Sequence, residues 1–344
     1  MRAHTLPLFA ALALLLGCGA EPNALVVGVS WAYFQEERWQ IDAAAIEAAL
    51  TEGGARYIAT DAQASSEKQI TDIESLVARG ADVLVVVPHD AEAIAPALAL
   101  AHAEGIPVVA YDRLIEAPGV FYLSFDNREV GRLQARAIHA VQPEGRYVFI
   151  KGARTDPNAG FVHAGQLDVL ADAIARGEIE VVGEQSIDAW LPELAQRVME
   201  QILTATNDRV DAVVCSNDGM ASGVAAALRS QGLSGVPLSG QDGDHAALNR
   251  VARGDQTVSV WKDARKLGAT AARVAVELAA GVAPGDIDGA ARYERGPRGV
   301  AVDAILLDPV PITRDNLDVV IDAGWVPREV VCRAVGDDPP PACR

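Results

Sequence analysis

The chain has 344 residues, 50% of them hydrophobic and 22% charged, so it can bury two sizeable cores and we expect two lobes. Asp and Glu number 47 against 29 Lys and Arg, a formal net charge of -18, which argues against nucleic acid as a partner. The six His are scattered and no His or Cys pair has zinc-like spacing, so we expect neither a metal site nor a cofactor.

The amino terminus predicts export. The apolar run LPLFAALALLL (6–16) is too short to span a bilayer and is typical of a secretory signal. The string Leu15-Leu16-Gly17-Cys18 resembles the lipobox at which bacterial lipoproteins are cut. We therefore expect a signal peptide over 1–17 and a lipidated linker over 18–24, which anchors a monomer in the periplasm or on the outer cell surface. The alternative is a plain signal peptide with an incidental cysteine.

Strands and helices alternate in the part of the chain that follows. Val-rich runs predict strands at 25–31, 56–62, 82–88, 107–113 and 121–127, with helices near 37–52, 66–79 and 91–104. These runs are continuous rather than alternating, which is typical of parallel strands that are buried on both faces. This part of the chain therefore predicts one doubly wound unit.

The next part echoes the first. It predicts strands at 147–152, 179–186, 211–218, 236–242 and 256–262, and helices near 160–177, 192–205, 219–231, 244–253 and 263–280. A Gly-rich, exposed loop over 281–299 precedes a late strand or interlobe connection over 300–313 and a helix over 313–324. The predicted fold class is α/β, with two doubly wound parallel-sheet lobes.

Polar residues cluster where the predicted strands end. In an open parallel sheet the ligand binds outside the carboxyl ends of the strands, so these side chains outline one crevice. Carboxylates accept hydrogen bonds, amides donate and accept, and Arg and Lys donate, a mixture that suits a small neutral polyol such as a sugar. The candidate ligand-binding residues are Arg38, Trp39, Asp112, Arg113, Asp156, Asn158, Trp190, Asn217, Asp242 and Lys262.

Most candidates also have a structural explanation. Arg38 with Trp39 could merely open a helix, and Asp112 with Arg113 could form a surface ion pair. Asp156 with Asn158 could simply shape a turn, and Lys262 could be a solvated lysine at a strand end. Trp190 could pack on the following helix, although a flat indole also stacks on the face of a sugar ring. Asp218, next to Asn217, is expected to be a helix N-cap.

The remaining cysteines differ in their expected roles. Cys215 lies inside an apolar run and is expected to be a buried, inert thiol. Cys332 and Cys343 flank a Pro-rich segment, and in an oxidising compartment they could form a local disulfide. The alternative is a disordered tail with free thiols.

Several strings in register resemble the periplasmic xylose-binding proteins of ABC sugar transporters. They include ERWQ (37–40), AYDR (110–113), FYLSFDNREVGRLQA (121–135), GLSGVPLSGQDGD (232–244) and GDQTVSVWK (254–262). The resemblance implies two lobes joined by a three-segment hinge, with a sugar clamped between them and delivered to an ABC permease. It assigns 25–126 with 263–304 to an N-terminal lobe, 127–262 with 305–325 to a C-terminal lobe and 326–344 to a tail.

The resemblance also implies that the polar candidates contact the sugar and that Trp190 stacks on its ring, with Trp39 as a neighbour. The chain departs from the family pattern at TDPNAG (155–160), where consecutive Asn residues are usual and where Pro157 removes a backbone donor. His163 stands where the family shows Arg. We expect a monosaccharide ligand, and among pentoses xylose is the first candidate.

Three classes of function compete. A transport binding protein is favoured, because an export signal is combined with sugar-type polar groups and no nucleophile is paired with a base. A glycosidase would need a carboxylic acid as proton donor, but Arg38, Arg113 and Lys262 are expected to lower the carboxylate pKa values, so we expect no enzyme. A sugar-responsive repressor would need a basic DNA-binding head. A lipid-anchored sensor that presents its closed form to a receptor is the alternative.

Overall fold

Two α/β lobes form the structure, a computed structural model that describes residues 24–34 and 36–344. The predicted signal peptide and Cys18 lie outside the described residues. Within the described part of the chain, no helix has the length and hydropathy of a membrane span.

The first lobe begins with the elements predicted for the first unit. In chain order they are β1 (Val26–Trp31), α1 (Glu37–Glu52), β2 (Arg56–Asp61), α2 (Ser66–Ala78), β3 (Val83–Val86), α3 (Ala95–Ala103), β4 (Val108–Tyr111) and β5 (Val120–Phe125).

The chain then builds most of the second lobe. Its elements are α4 (Asn127–Val141), β6 (Gly145–Lys151), α5 (Pro157–Ala175), β7 (Ile179–Ser186), α6 (Pro192–Thr206), β8 (Ala212–Cys215), α7 (Asp218–Ser230), β9 (Ser239–Asp242), α8 (His245–Arg253) and β10 (Val258–Trp261). The first lobe is completed by α9 (Ala264–Ala279), β11 (Ala291–Tyr293) and β12 (Val302–Leu307). The second lobe ends with β13 (Val310–Ile312), α10 (Asp318–Asp322) and α11 (Arg328–Val331).

The first-lobe sheet has the strand order β11-β12-β5-β4-β3-β1-β2 and is parallel except for the edge strand β11. Alternate side chains of β3 enter two different cores. Val83 and Val85 lie in the core that includes α1 and α9, whereas Leu84 and Val86 lie in the core that includes α2 and α3. Helices cover both faces of the sheet, which explains why the strand sequences lack polar alternation.

The second-lobe sheet follows the same plan. β6 pairs in parallel with β7 and β8, and β9 pairs in parallel with β10. A parallel bridge between Val213 and Leu238 links these two halves. The edge strand β13 pairs antiparallel with β10. The predicted fold class is confirmed, and each lobe adds one antiparallel edge strand to its parallel sheet.

The chain crosses between the lobes after β5, after β10 and after β12. The third crossing follows Leu307, so the predicted boundary at residue 304 lies too early. β12 stays with the first lobe to its end because Asp303 to Leu307 pair in register with Phe121 to Phe125.

The C-terminal tail is folded onto the second lobe. A disulfide joins Cys332 and Cys343, whose Cα atoms are 5.4 Å apart. Val331 packs in the same core as Leu248 of α8, and the side-chain amide of Asn249 donates to the carbonyl oxygen of Val331 at 2.9 Å. The tail therefore forms part of the second lobe.

We predict that thiol titration of the oxidised, unfolded protein, made without Cys18, finds one free thiol. This thiol is Cys215, which is free and buried in the structure and whose pKa burial raises to about 12. Under native conditions it should react far more slowly, since a buried thiol is neither accessible nor ionised. Three reactive thiols in the unfolded protein would show that the tail is not bridged.

Candidate functional site

All the predicted ligand-binding residues meet in one cavity between the lobes, at the carboxyl ends of the strands. The cavity is lined by Arg38, Trp39, Asp112 and Arg113 from the first lobe, by Asp156, Asn158, Trp190, Asn217, Asp242 and Lys262 from the second, and by Glu36 and Gln241 in addition. The structure thus collects side chains that are widely separated in the sequence, as expected of parallel strands that end at one edge.

Arg38 joins carboxylates from both lobes. It lies in the first turn of α1, where its Nε donates to Oδ2 of Asp42 at 3.1 Å. Its Nη1 lies 3.0 Å from Oδ1 of Asp112, which follows β4, and donates to Oδ1 of Asp242 in the second lobe at 3.2 Å. Arg38 is only 2% exposed, so water screens these charges little.

Arg113 forms a second connection between the lobes. Its Nη1 donates to the carbonyl oxygen of Pro88 at 3.0 Å, and its Nη2 donates to the hydroxyl of Tyr33. Its Nε lies 2.8 Å from Oδ2 of Asp156 in the second lobe, an ion pair in which the N–H does not point at the oxygen. Two first-lobe loops and a second-lobe carboxylate therefore hold this guanidinium in place.

Asp156 is the N-cap of α5, since its Oδ1 accepts from the backbone N–H of Asn158 at 2.9 Å. Pro157 lies in the first helical turn, so the donor it removes is one that a helix leaves unpaired. Asn158 reaches the first lobe, where its Nδ2 donates to the carbonyl oxygen of Asp112 at 3.0 Å and to its carboxylate at 3.1 Å. Pro157 is therefore compatible with the cavity wall.

Trp190 follows β7 in a 3₁₀ turn and is 5% exposed. Its ring packs directly on Gly152, where an added Cβ would lie 2.0 Å from Cζ2 of the indole. A glycine at this position lets the flat ring lie against the backbone and form one wall of the cavity.

Asn217, and not Asp218, is the N-cap of α7. Its Oδ1 accepts from the backbone N–H of Met220 at 2.9 Å. Asp218 is buried, and its Oδ2 accepts from the backbone N–H groups of Gly243 at 3.0 Å and Asp244 at 3.1 Å. The predicted N-cap role of Asp218 is wrong, because its carboxylate turns inward and holds the turn between β9 and α8.

Lys262 follows β10 and lies between two carboxylates. Its Nζ is 3.4 Å from Oδ1 of Asp112 and 3.4 Å from Oδ1 of Asp242. Together with Arg38, it gives an alternation of cations and carboxylates that spans the space between the lobes.

Backbone strain is concentrated at the cavity. Asp112, Trp190 and Asp242 have φ values of 62°, 57° and 101°. A non-glycine residue in such a conformation costs about 1–3 kcal/mol and persists only where the surrounding structure holds it, as is common at ligand sites.

The carboxyl groups of the cavity differ in pKa. Burial raises the pKa of Asp112, but Arg38, Lys262 and Arg113 outweigh burial and hold this pKa at about 2. Burial raises the pKa of Asp156 in spite of Arg113, and it raises the pKa of Glu36 to about 7. The prediction that the cations lower the carboxylate pKa values therefore holds for Asp112 and is wrong for Asp156.

Several buried polar atoms of the lining residues have no hydrogen-bond partner within the described chain. They are Nη2 of Arg38, Nε of Arg113, Nε1 of Trp190 and Oε1 of Gln241. Buried polar groups are nearly always paired in native proteins, so these atoms are available to a ligand. The cavity measures about 20 Å³, and its lining residues other than Glu36 are buried, so a ligand enters only when the lobes separate.

A larger groove of about 670 Å³ lies at the amino ends of the first-lobe strands, where β4 and β5 begin. Its lining is largely apolar and includes Leu98, Val108, Val120, Leu278 and Val282. A sugar needs several polar partners, so we place the functional site in the smaller interlobe cavity.

Glu36 and Gln241 are the lining residues that the sequence analysis does not predict. Gln241 precedes Asp242, and along a regular strand neighbouring side chains point to opposite faces. The positive φ of Asp242 breaks this alternation, so both residues line the cavity. For Glu36 the available signal was its position immediately before ERWQ, after the first strand.

Comparison with known proteins agrees with this architecture. Residues 27–283 match the periplasmic binding protein domain. The D-xylose-binding periplasmic protein of Haemophilus influenzae is 42% identical over 91% of this chain and 93% of its own length, and that of Escherichia coli is 40% identical over 91% and 94%.

A solved structure shares the two-lobed fold. The carbohydrate transporter solute binding protein from Chloroflexus aurantiacus, in complex with D-glucose, superposes with a TM-score of 0.82 at 29% identity, and the match covers 89% of this chain and 98% of that one. The domain match covers residues 27–283, and the two relatives are 40–42% identical over 91% of this chain. The chain belongs to the periplasmic binding protein family.

Proposed function

We propose that the protein captures a pentose, with D-xylose as the first candidate, between its two lobes and delivers it to an ABC permease outside the cytoplasm. The observation that carries this proposal is that buried donors and acceptors from both lobes line a single cavity. The choice of D-xylose is supported by two relatives that carry this sugar in their names.

Capture requires the lobes to close around the ligand. In the closed form, Arg38 pairs with Asp242 and Arg113 pairs with Asp156 across the interface. A sugar hydroxyl both donates and accepts, so it can lie between a cation and a carboxylate and satisfy both. A ligand that makes these contacts only when the lobes are closed shifts the equilibrium toward closure.

We further propose that the site binds without catalysis. Among the residues that the structure describes, the cavity lining contains no Ser, Cys or His that could act as a nucleophile or its base. Asp112 is held ionised between two cations, and Asp156 is engaged as a helix cap, so neither is placed as a proton donor to a glycosidic oxygen.

The proposal is tested by calorimetric titration of the exported domain with xylose, ribose, arabinose, glucose and galactose. We expect xylose to bind most tightly, with the other pentoses ahead of the hexoses. Tighter binding of glucose than of any pentose would contradict the proposed ligand, and binding of none of the five would contradict the sugar-capture function.

We also propose that Cys18 carries a lipid anchor, on the basis of the lipobox-like string that ends at this residue. The protein expressed in a bacterial host should partition into the detergent phase, because two or more acyl chains give stable membrane attachment. Cys18→Ala should release the protein or stall its processing. A parent protein that is processed but partitions into the aqueous phase would contradict the anchor.

A further inference from the structure

We propose that Glu36 contacts the bound sugar as a neutral carboxyl group and couples sugar capture to the uptake of a proton. The inference rests on the proposed sugar-binding function and adds to it a hydrogen-bond donor and a pH dependence.

Glu36 is placed to reach a ligand. It stands at the N-cap position of α1 and lines the cavity. The indole Nε1 of Trp39 donates to its Oε2 at 2.6 Å, which orients the carboxyl group. Trp39 is in turn held against the guanidinium of Arg38, which lies 4.4 Å from the ring centroid. This hydrogen bond fixes the carboxyl group of Glu36 at the wall of the cavity.

Burial favours the neutral form of Glu36 in the closed state, although the charged groups that face it act in both directions. Arg113 opposes protonation, but it is already engaged by Asp156 and Tyr33. Asp242 belongs to the second lobe, and its negative charge reaches Glu36 when the lobes close, whereas burial raises the pKa of its neighbour Asp244 and favours its neutral form. A proton on Glu36 relieves this repulsion and turns an acceptor into a donor.

The direction of the pH dependence follows from the difference between the pKa of Glu36 in the closed form and its pKa with the lobes apart. Burial, with Asp242 adding to it, raises the pKa of Glu36 in the closed form to about 7. With the lobes apart, the carboxyl group meets water and its pKa returns toward the ordinary value of about 4.5. At pH values between about 4.5 and 7, Glu36 therefore carries more protons in the closed form than in the open form. Capture is therefore favoured at low pH and becomes weaker as the pH rises through about 7.

Titration calorimetry with D-xylose at pH 5.5, 7 and 8, in two buffers of different ionisation enthalpy at each pH, measures both affinity and proton uptake. We expect the Kd of the parent to rise roughly tenfold or more between pH 5.5 and pH 8, with proton uptake near pH 6. Glu36→Gln, an uncharged donor of similar size, should keep most of its low-pH affinity at pH 8 and take up fewer protons than the parent. Glu36→Leu should bind weakly at every pH.

Glu37→Gln is the matched control. Glu37 is the exposed neighbour of Glu36, and its Oε1 lies 3.3 Å from Nδ1 of His245 in the second lobe, so it is a cross-lobe carboxylate that does not line the cavity. We expect Glu37→Gln to keep the pH slope of the parent. A slope that persists in Glu36→Gln, or that disappears in Glu37→Gln, overturns the inference alone. A parent that binds no sugar at any pH overturns the proposed function as well.

Discussion

Replacing Arg113 by Ala is expected to weaken the binding of D-xylose by about tenfold to a few hundredfold. A hydrogen bond to a charged group contributes about 1.5–3 kcal/mol, which corresponds to this range in Kd. The substitution removes the donors of Arg113 and leaves Asp156 as a buried carboxylate without its cation. Calorimetric titration at one fixed pH measures the change.

Asp242→Ala should have a comparable effect from the opposite lobe, since Asp242 pairs with Arg38 and Lys262. Arg132→Ala is the control: it removes an arginine of α4 that pairs with Glu129 and does not line the cavity. We expect its affinity to match that of the parent. If Arg113→Ala and Asp242→Ala both bind as tightly as Arg132→Ala, the cross-lobe charges do not hold the sugar.

Asp218→Ala is expected to lower the free energy of unfolding by about 3 kcal/mol or more. Its carboxylate accepts from the backbone of Gly243 and Asp244 and from the side chains of Ser259 and Gln256. Each buried donor that loses its partner costs about 1–3 kcal/mol. Chemical denaturation followed by circular dichroism measures the loss.

Asp168→Ala provides the comparison for this stability loss. Asp168 also pairs closely with arginines, at 2.6 Å from Arg128 and 2.8 Å from Arg132, but its side chain is 27% exposed. An exposed ion pair contributes at most about 1 kcal/mol. Equal losses for the two variants would show that Asp218 does not stabilise the turn between β9 and α8.

The strand–helix alternation could be predicted because most buried segments are continuous and apolar. The prediction for β3, 82–88, contains the strand Val83–Val86, whose four residues are all buried and apolar. The short edge strand β11 has only three residues, too few to show a period within a Gly-rich loop.

The sequence analysis does not predict α4, and the reason lies in its buried face. Gly131 and Gln134 lie on this face. A Cβ added to Gly131 would lie 1.9 Å from the carbonyl oxygen of Val162 in α5, so the two helices are in close contact. Gln166 of α5 donates to Gln134 at 2.8 Å. The same face also contains Val130, Ala135 and Ile138, so Gly131 and Gln134 weaken the apolar period by which a helix is predicted but do not remove it.

The residues of the cavity could be predicted because parallel strands end at the same edge of a sheet. The ion pairs that join the two lobes could not be predicted from the sequence. Arg38 and Asp242 are 204 positions apart, and no local pattern encodes their contact. The same holds for the raised pKa of Glu36 and Asp156, since it depends on burial between two lobes.

Small-angle X-ray scattering of the protein with and without D-xylose tests the interlobe clamp most directly. The residues that line the cavity, other than Glu36, are buried between the lobes, so a sugar can enter only when the lobes are apart, and a sugar that contacts both lobes then favours the closed form. We predict that the radius of gyration falls when saturating D-xylose is added. A radius of gyration that stays unchanged at a sugar concentration shown by calorimetry to saturate the protein would contradict the clamp.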